Sequence, residues 1–532
     1  MAAPTNWEAI LEKLRSPKCE GETLPAFLQH ARWFRSKAHP LHRVRVVQAI
    51  ALGAAPTGND AGCLVFVEAT YAHIAPEIYV LPLQWASADE TKSLASSSII
   101  ARLDDDAGEG VVFDAINDES FRSMILEIIL GEKCVRSGNG KLVGMAAATF
   151  RKQVAQLKIP LPSRALSVEQ SNSAIIYDGR FFLKLYRKPE AGENPDEEML
   201  RFLSERQKFK HVPGWCGAVE HRMAGEEPRV LALLVANVEN EGDAWNSMLD
   251  SLDEFFARVQ SSRPDPAFSE LAFIDELIGK EFLGRVGQLG VRTAEMHLAL
   301  AADFDDPSFT PEPFTMEYQR FLYESMRVGT QRMKQLLEQK LDTIPEKHRA
   351  EATDLISREG EILKRQAALL DRQVAATRTR CHGDYHLGQV LVTGDDFLII
   401  DFEGEPARTL DERRAKASPL RDVAGMLRSF HYAAHAALAR QTALSANDRC
   451  ALEPWADLWA GSATRVFREA YLTAARGASF IPTEMETLSM LFQLYLLEKV
   501  AYEICYELNN RPDWIAIPLR GIMRILVGNK WT

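Results

Sequence analysis

The residues that could do chemistry gather late in the chain. Between Cys381 and Glu405, Asp384 is followed five positions on by Gln389, and an apolar run, Leu398-Ile399-Ile400, delivers Asp401 with Glu403 close behind. Two carboxylates and a carboxamide oxygen in this order suit phosphoryl transfer. One acid orients a hydroxyl, and hard oxygens hold a Mg²⁺ ion that bridges nucleotide phosphates. Upstream, Lys184 stands in a strand-like run, Phe181 to Tyr186, where an amine can neutralise phosphates, and Glu198 follows 14 residues later (198 − 184) as its expected partner. Ahead of that run, Glu169-Gln170-Ser171-Asn172-Ser173 is a small polar stretch fit to lie against phosphates. Taken singly, each of these residues is ordinary; the ordered set is not.

The elements that must position them follow from local pattern. Ser173 to Ile176 and Phe181 to Tyr186 alternate as strands, and Asp178-Gly179 between them is a hairpin signal, because both positions accept positive φ. Asn194 is placed to cap a helix, Pro195 suits its first turn, and Asp196, Glu197 and Glu198 favour its positive end. Arg229 to Val235 reads as a buried strand, leading to a hinge at Ala236 to Glu239, with the backbone at Val238 expected against adenine. Residues 1–90 hold a short helix at Trp7 to Leu14 and three β-rich runs, as a small α+β cap. Residues 91–240 are expected to form a β-rich, nucleotide-binding subdomain. Residues 241–532 are expected to form a helical lobe, with apolar periodicity over Arg292 to Ala301, Met316 to Leu341, Arg349 to Thr377 and Leu488 to Asn509. A β-rich front and a helical back predict an α+β protein of two lobes.

Composition narrows the class. The 532 residues carry 62 lysines and arginines against 74 acids, a net charge of −12, which disfavours non-specific nucleic-acid binding. No apolar run reaches the length of a membrane span, and the first residues lack the apolar core of a signal peptide. Seven scattered cysteines with no C-x-x-C pair fit a reducing, cytoplasmic setting.

At this point the residues resemble a known family, the maltokinases, within the aminoglycoside-phosphotransferase-like branch of the kinase superfamily. The match runs through Arg32-Trp33-Phe34, Leu183-Lys184-Leu185-Tyr186-Arg187, Asn194-Pro195-Asp196, the Asp384 loop with Gln389, Asp401-Phe402-Glu403-Gly404-Glu405-Pro406, Arg421-Asp422 and Asn510-Arg511-Pro512-Asp513-Trp514. Arg35-Ser36 and the hinge depart from the family pattern, which loosens nucleotide preference more than chemistry. The resemblance implies a bilobal protein-kinase-like fold with an N-terminal cap. It also implies ATP and Mg²⁺ as cofactors, and transfer of the γ-phosphate to the anomeric hydroxyl of maltose in α-glucan and trehalose metabolism. Trehalose synthase is the partner it suggests.

Together these readings give Asp384 the acceptor hydroxyl, Gln389, Asp401 and Glu403 the metal, and Lys184, Glu198, Gln170, Ser171, Asn172, Ser173 and Val238 the nucleotide. His382 is expected to brace the loop, and His386 either braces it or meets substrate. Lys499, Tyr502, Glu503 and Tyr506, at offsets 0, 3, 4 and 7, share one helical face and offer a sugar-binding surface, with Arg511 beyond them. The alternative for that face is a buried polar network between helices. Glucosamine or an aminoglycoside is the competing substrate, and a nucleotide-binding scaffold without catalysis is the third reading, disfavoured by the intact acids and Lys184.

Overall fold

The structure, a computed structural model, describes residues 7–52, 62–105, 108–166, 172–266, 270–442 and 444–527. The chain divides into two compact units, residues 1–206 with 213–238, and residues 207–212 with 239–532.

The first unit is built on two antiparallel sheets. Helices α1 (Trp7–Leu14) and α2 (Leu24–His30) precede strands β1 (Leu41–Leu52), β2 (Gly62–Tyr71), β3 (Glu77–Ser87), β4 (Ile99–Asp105) and β5 (Gly108–Asp114), which pair in the order β1-β2-β3-β5-β4. This first sheet therefore continues past residue 90 to Asp114. One of its faces packs Trp7, Ile10, Leu14, Leu28 and Phe34 against Val44, Val65 and Leu81. After helix α3 (Glu119–Leu130) come β6 (Cys134–Ser137), β7 (Gly140–Ala146), helix α4 (Ala148–Val154), β8 (Ser163–Leu166), β9 (Asn172–Tyr177), β10 (Phe181–Tyr186), helix α5 (Pro195–Arg201), β11 (Trp215–Met223) and β12 (Arg229–Ala236). The second sheet has the order β6-β7-β11-β12-β10-β9-β8, so β10 lies between two neighbours. The β9–β10 hairpin forms as its residues require: Asp178 and Gly179 both take positive φ, 51° and 66°, and Lys184 lies opposite Ala174 on one side and Leu233 on the other. Phe181, Leu183 and Leu185 are buried, while Phe182 and Lys184 alternate to the more open face.

The second unit is mostly helical: α6 (Ala244–Ser262), α7 (Leu271–Ile278), α8 (Lys280–Leu300), α9 (Met316–Lys340), α10 (Glu346–Ser357), α11 (Glu359–Ala367), α12 (Leu410–Arg414), α13 (Leu420–Arg440), α14 (Ala446–Ala474), α15 (Met485–Asn510) and α16 (Ala516–Val527). The long helix expected over Arg349 to Thr377 is instead broken. It stops at Arg358, whose φ of −93° and ψ of 9° leave the helical region, resumes as α11, and is over before Thr377, which pairs as a strand with Pro313. Gly360, a poor helix former, stands just after the break. Between α11 and α12 a small hairpin, β13 (Val390–Thr393) with β14 (Asp396–Ile399), carries the acid-rich segment.

Candidate active site

Candidate residues lie in both units, one group in each. In the first, Asn194 caps α5 by accepting from the backbone N–H groups of Asp196 and Glu197 at 2.9 and 3.1 Å. That fixes the first turn so that Asp196 Oδ2 receives Lys184 Nζ at 2.9 Å and Tyr186 Oη at 3.0 Å. Asp196, which the sequence reading assigned only to the helix dipole, thus bonds Lys184; Glu198, the expected partner, is buried two positions further along the same helix. Just past β10, Arg187 is 1% exposed. It donates to Asp114 at 2.8 Å and to Ser173 Oγ at 2.7 Å, and lies 4.9 Å from the Trp33 ring, tying the first sheet to the start of β9. Asn172 and Ser173 open β9, whereas Gln170 and Ser171 fall outside the described residues. Val238 follows β12 by two positions, after Ala236 and Asn237 have bonded to Gly214 and Arg180 through their backbones.

In the second unit, the Asp384 loop is held from below by α13. Asp422 accepts the backbone N–H groups of His382 (2.7 Å) and Gly383 (3.0 Å), and its carboxylate also meets His297 Nε2 at 3.1 Å, while His297 Nδ1 reaches Tyr471 Oη at 2.9 Å. Burial works to raise the Asp422 pKa, but these bonds and the neighbouring histidines lower it. One turn on, Gly425 allows close approach: a Cβ there would lie 2.6 Å from the Tyr385 carbonyl oxygen. His382 braces the loop as expected, bonding the Ile400 carbonyl through Nε2 at 2.9 Å and packing on Phe402. His386 accepts from the Gly388 N–H at 3.1 Å, capping its own turn. Burial, with smaller opposing and reinforcing charges, lowers its pKa, so it stays neutral.

The metal-ligand candidates converge. Gln389 Nε2 donates to Asp401 Oδ2 at 2.9 Å, and the Gln389 carbonyl receives the Ile400 N–H at 3.0 Å. Asp401 sits at φ 68°, a conformation that Asp tolerates better than most residues and that sets its side chain off from the strand. The adjoining carboxamide and carboxylate are hard-oxygen donors of the kind Mg²⁺ takes, so Gln389 and Asp401, with Glu403 two residues on, fit the ion. When bound, it would neutralise charge on the transferring phosphates.

Asp384 is itself paired. Lys499, from α15, places Nζ 3.2 Å from Asp384 Oδ1 and 3.3 Å from Glu405 Oε1. Burial opposes Glu405 ionisation, yet Lys499, Arg421 and Arg408 outweigh it and hold its pKa at about 2. The expected sugar face divides. Lys499 lies 5.0 Å from the Tyr502 ring, Tyr502 stacks with Tyr506 at 6.3 Å, and Arg511 lies 5.4 Å from Tyr506 and 5.0 Å from Trp514. Glu503 turns inward and accepts a fork from Arg428, at 3.0 and 2.7 Å, with both residues buried. The polar-network alternative therefore holds for Glu503. Removing one member of so buried a pair costs about 3–5 kcal/mol, which marks it as architecture. Arg428 and the anchoring role of Asp422 had no sequence signal, since they act through Glu503, 75 residues away, and through the backbone of His382 and Gly383, 40 and 39 residues away.

Residues 27–118 match the maltokinase N-terminal cap domain, and residues 164–459 match the phosphotransferase enzyme family. A glucosamine kinase from Streptacidiphilus jiangxiensis is 25% identical over 365 residues, 67% of this chain and 71% of that protein. One from Mycolicibacterium smegmatis is 23% identical over 402 residues, 74% and 84% of the respective chains. The structure of a glucosamine kinase in complex with glucosamine, ADP and inorganic phosphate aligns with a TM-score of 0.60 at 19% identity, covering 95% of this chain and 99% of that one. The shared fold is protein-kinase-like. With Asp384, Gln389 and Asp401 in the order phosphoryl transfer needs, and a family match across more than half its length, this chain belongs to the phosphotransferase enzyme family and carries a maltokinase-type cap.

Proposed function

We propose that the protein is a small-sugar kinase that transfers the γ-phosphate of ATP to the anomeric hydroxyl of maltose, giving maltose 1-phosphate and ADP. The observation that carries the sugar reading is the line Lys499–Tyr502–Tyr506 running along α15 away from Asp384. Stacked phenol rings suit the apolar face of a pyranose, and an ammonium suits its hydroxyls. Asp384 orients the attacking hydroxyl and takes up its proton as the new O–P bond forms and the bond to the ADP leaving group breaks. Lys184 and the start of β9 hold the nucleotide phosphates, and Gln389, Asp401 and Glu403 would hold Mg²⁺, which would supply positive charge against the phosphates. The cap match supports maltose. A second reading, phosphorylation of glucosamine, is favoured by the names of the relatives.

The test is identification of the phosphorylated product with maltose, glucose, glucosamine and kanamycin supplied in parallel with ATP and Mg²⁺. Maltose 1-phosphate is the expected main product, lost when Mg²⁺ is chelated. Turnover of glucosamine with none of maltose would replace the maltose reading.

A further inference from the structure

Around the acceptor end of the helical unit, three carboxylates each already have a cation. Lys499 bonds Asp384 and Glu405 at 3.2 and 3.3 Å. Glu405 also takes Arg408 at 2.7 Å and Arg421 at 3.3 Å, and Glu498 takes Arg408 at 3.3 Å. The formal balance is three cations, Lys499, Arg408 and Arg421, against three anions, Asp384, Glu405 and Glu498. A cavity of about 40 Å³, lined by Lys499, Tyr495, Tyr502 and Gly383, has room for a water-sized group and not for a sugar ring. Lys499 Nζ lies 3.2 Å from Asp384 Oδ1, so a sugar hydroxyl that bonds this oxygen meets the ammonium as well. Lys499 is held in its charged form by the carboxylates, against the effect of burial.

We propose that Lys499 is the specificity-determining residue of this site: its ammonium takes the place that the amino group of an amino sugar would occupy beside Asp384 and Glu405, so that the site admits neutral sugars and rejects cationic ones. The inference rests on the sugar-kinase reading above. A hydroxyl has lone pairs with which to accept from Lys499, whereas a substrate ammonium has only donors and the same charge. No second carboxylate is left to repay it, because Glu405 and Glu498 are engaged by arginines. Selection is thus by repulsion as much as by fit. Lys499 and Asp384 are half-buried, with 21% and 24% of their side chains exposed, so water screens the repulsion only in part.

Glucose and glucosamine differ at a single group and give the test. Dissociation constants for maltose, glucose and glucosamine are measured by calorimetry on the wild-type chain and on Lys499→Met, Lys499→Gln and Lys499→Arg, with thermal unfolding of each variant as a check on folding. The wild type is expected to bind glucose roughly tenfold or more tightly than glucosamine, a difference of one repulsive contact. Lys499→Arg keeps that ratio, while Lys499→Met and Lys499→Gln reduce it roughly tenfold or invert it. A wild type that prefers glucosamine, or neutral variants that fold and keep the wild-type ratio, would overturn the proposal while leaving the kinase reading intact. Should both neutral variants fail to fold, the wild-type preference decides it. A folded wild type that binds none of the three sugars overturns the sugar reading and the proposal together.

Discussion

Asp384 is the acid that the proposed function places at the acceptor hydroxyl, and its surroundings set what its loss would do. It carries an ion pair to Lys499, and the loop that bears it is fixed by backbone N–H groups of His382 and Gly383 bonded to Asp422. Loss of its carboxylate should therefore spare the loop. Asp384→Asn is expected to lower kcat by roughly 10²–10⁴-fold, the usual contribution of a positioned acid–base group, with much smaller changes in sugar and nucleotide affinity. Steady-state kinetics set beside calorimetric binding would check it, and kcat within a few-fold of wild type would remove the acid from the chemistry. The meeting of Gln389 with Asp401 was legible because it depends on short spacing and residue type. The bond from Lys184 to Asp196 was less so, because Asp196 and Glu198 are both early acids of one helix and the capped first turn is what brings Asp196 to the lysine.

At the scale of elements, α13 is the platform of the helical unit. Asp422 anchors the catalytic loop, Gly425 lets Tyr385 close on it, Ser429 accepts from the Leu387 N–H at 3.1 Å, and Arg428 holds Glu503 of α15. Its far end packs two histidines on α14. His435 meets Asp457, a carboxylate shared with Arg524, and its ring lies 4.6 Å from that of His431. Burial, reinforced by Arg524 and Arg520, pushes His435 down to about 3, and burial with Arg428 pushes His431 lower than the ordinary value. Both are neutral in the folded protein, and both gain a proton on unfolding below their ordinary pKa. Their contribution to stability is therefore complete above about pH 6.5 and is lost as pH falls from there, for His435 down to about 3, at up to about 1.4 kcal/mol per pH unit for each ring. Thermal unfolding between pH 4 and 7 should show that slope, and His435→Asn should make it shallower. An unchanged slope would mean that the ring is already protonated in the fold. The sequence showed α13 only as a resembling segment around Arg421-Asp422, because a helix that is buried along most of its length has no polar stripe to read.

At the scale of the whole molecule, the residues proposed to meet ligands fall in separate units: Lys184 and β9 belong to the first, and Asp384, Asp401 and the α15 face to the second. Ligands should therefore stabilise through separable residues. A ligand at a hundredfold excess over its Kd adds roughly 2.7 kcal/mol to folding. Lys184→Met is expected to diminish the thermal shift produced by ATP and to leave that produced by maltose unchanged; loss of both shifts would count against the division. Among the described residues no helix is long and apolar enough to cross a membrane, and all the described cysteines are free. The sequence by itself determined the chemistry, the β9–β10 hairpin with its positive-φ turn, the capped α5 and the helical character of the second unit. Each of those follows from residue type, short spacing or a local period. Only the tertiary structure decided that Lys499 pairs with Asp384 across 115 residues, that Asp422 carries the loop from 40 residues away, and that Glu503 turns inward to Arg428. Those choices depend on which helix faces meet. Packing sets that through contacts far apart in the chain, and no local pattern encodes it.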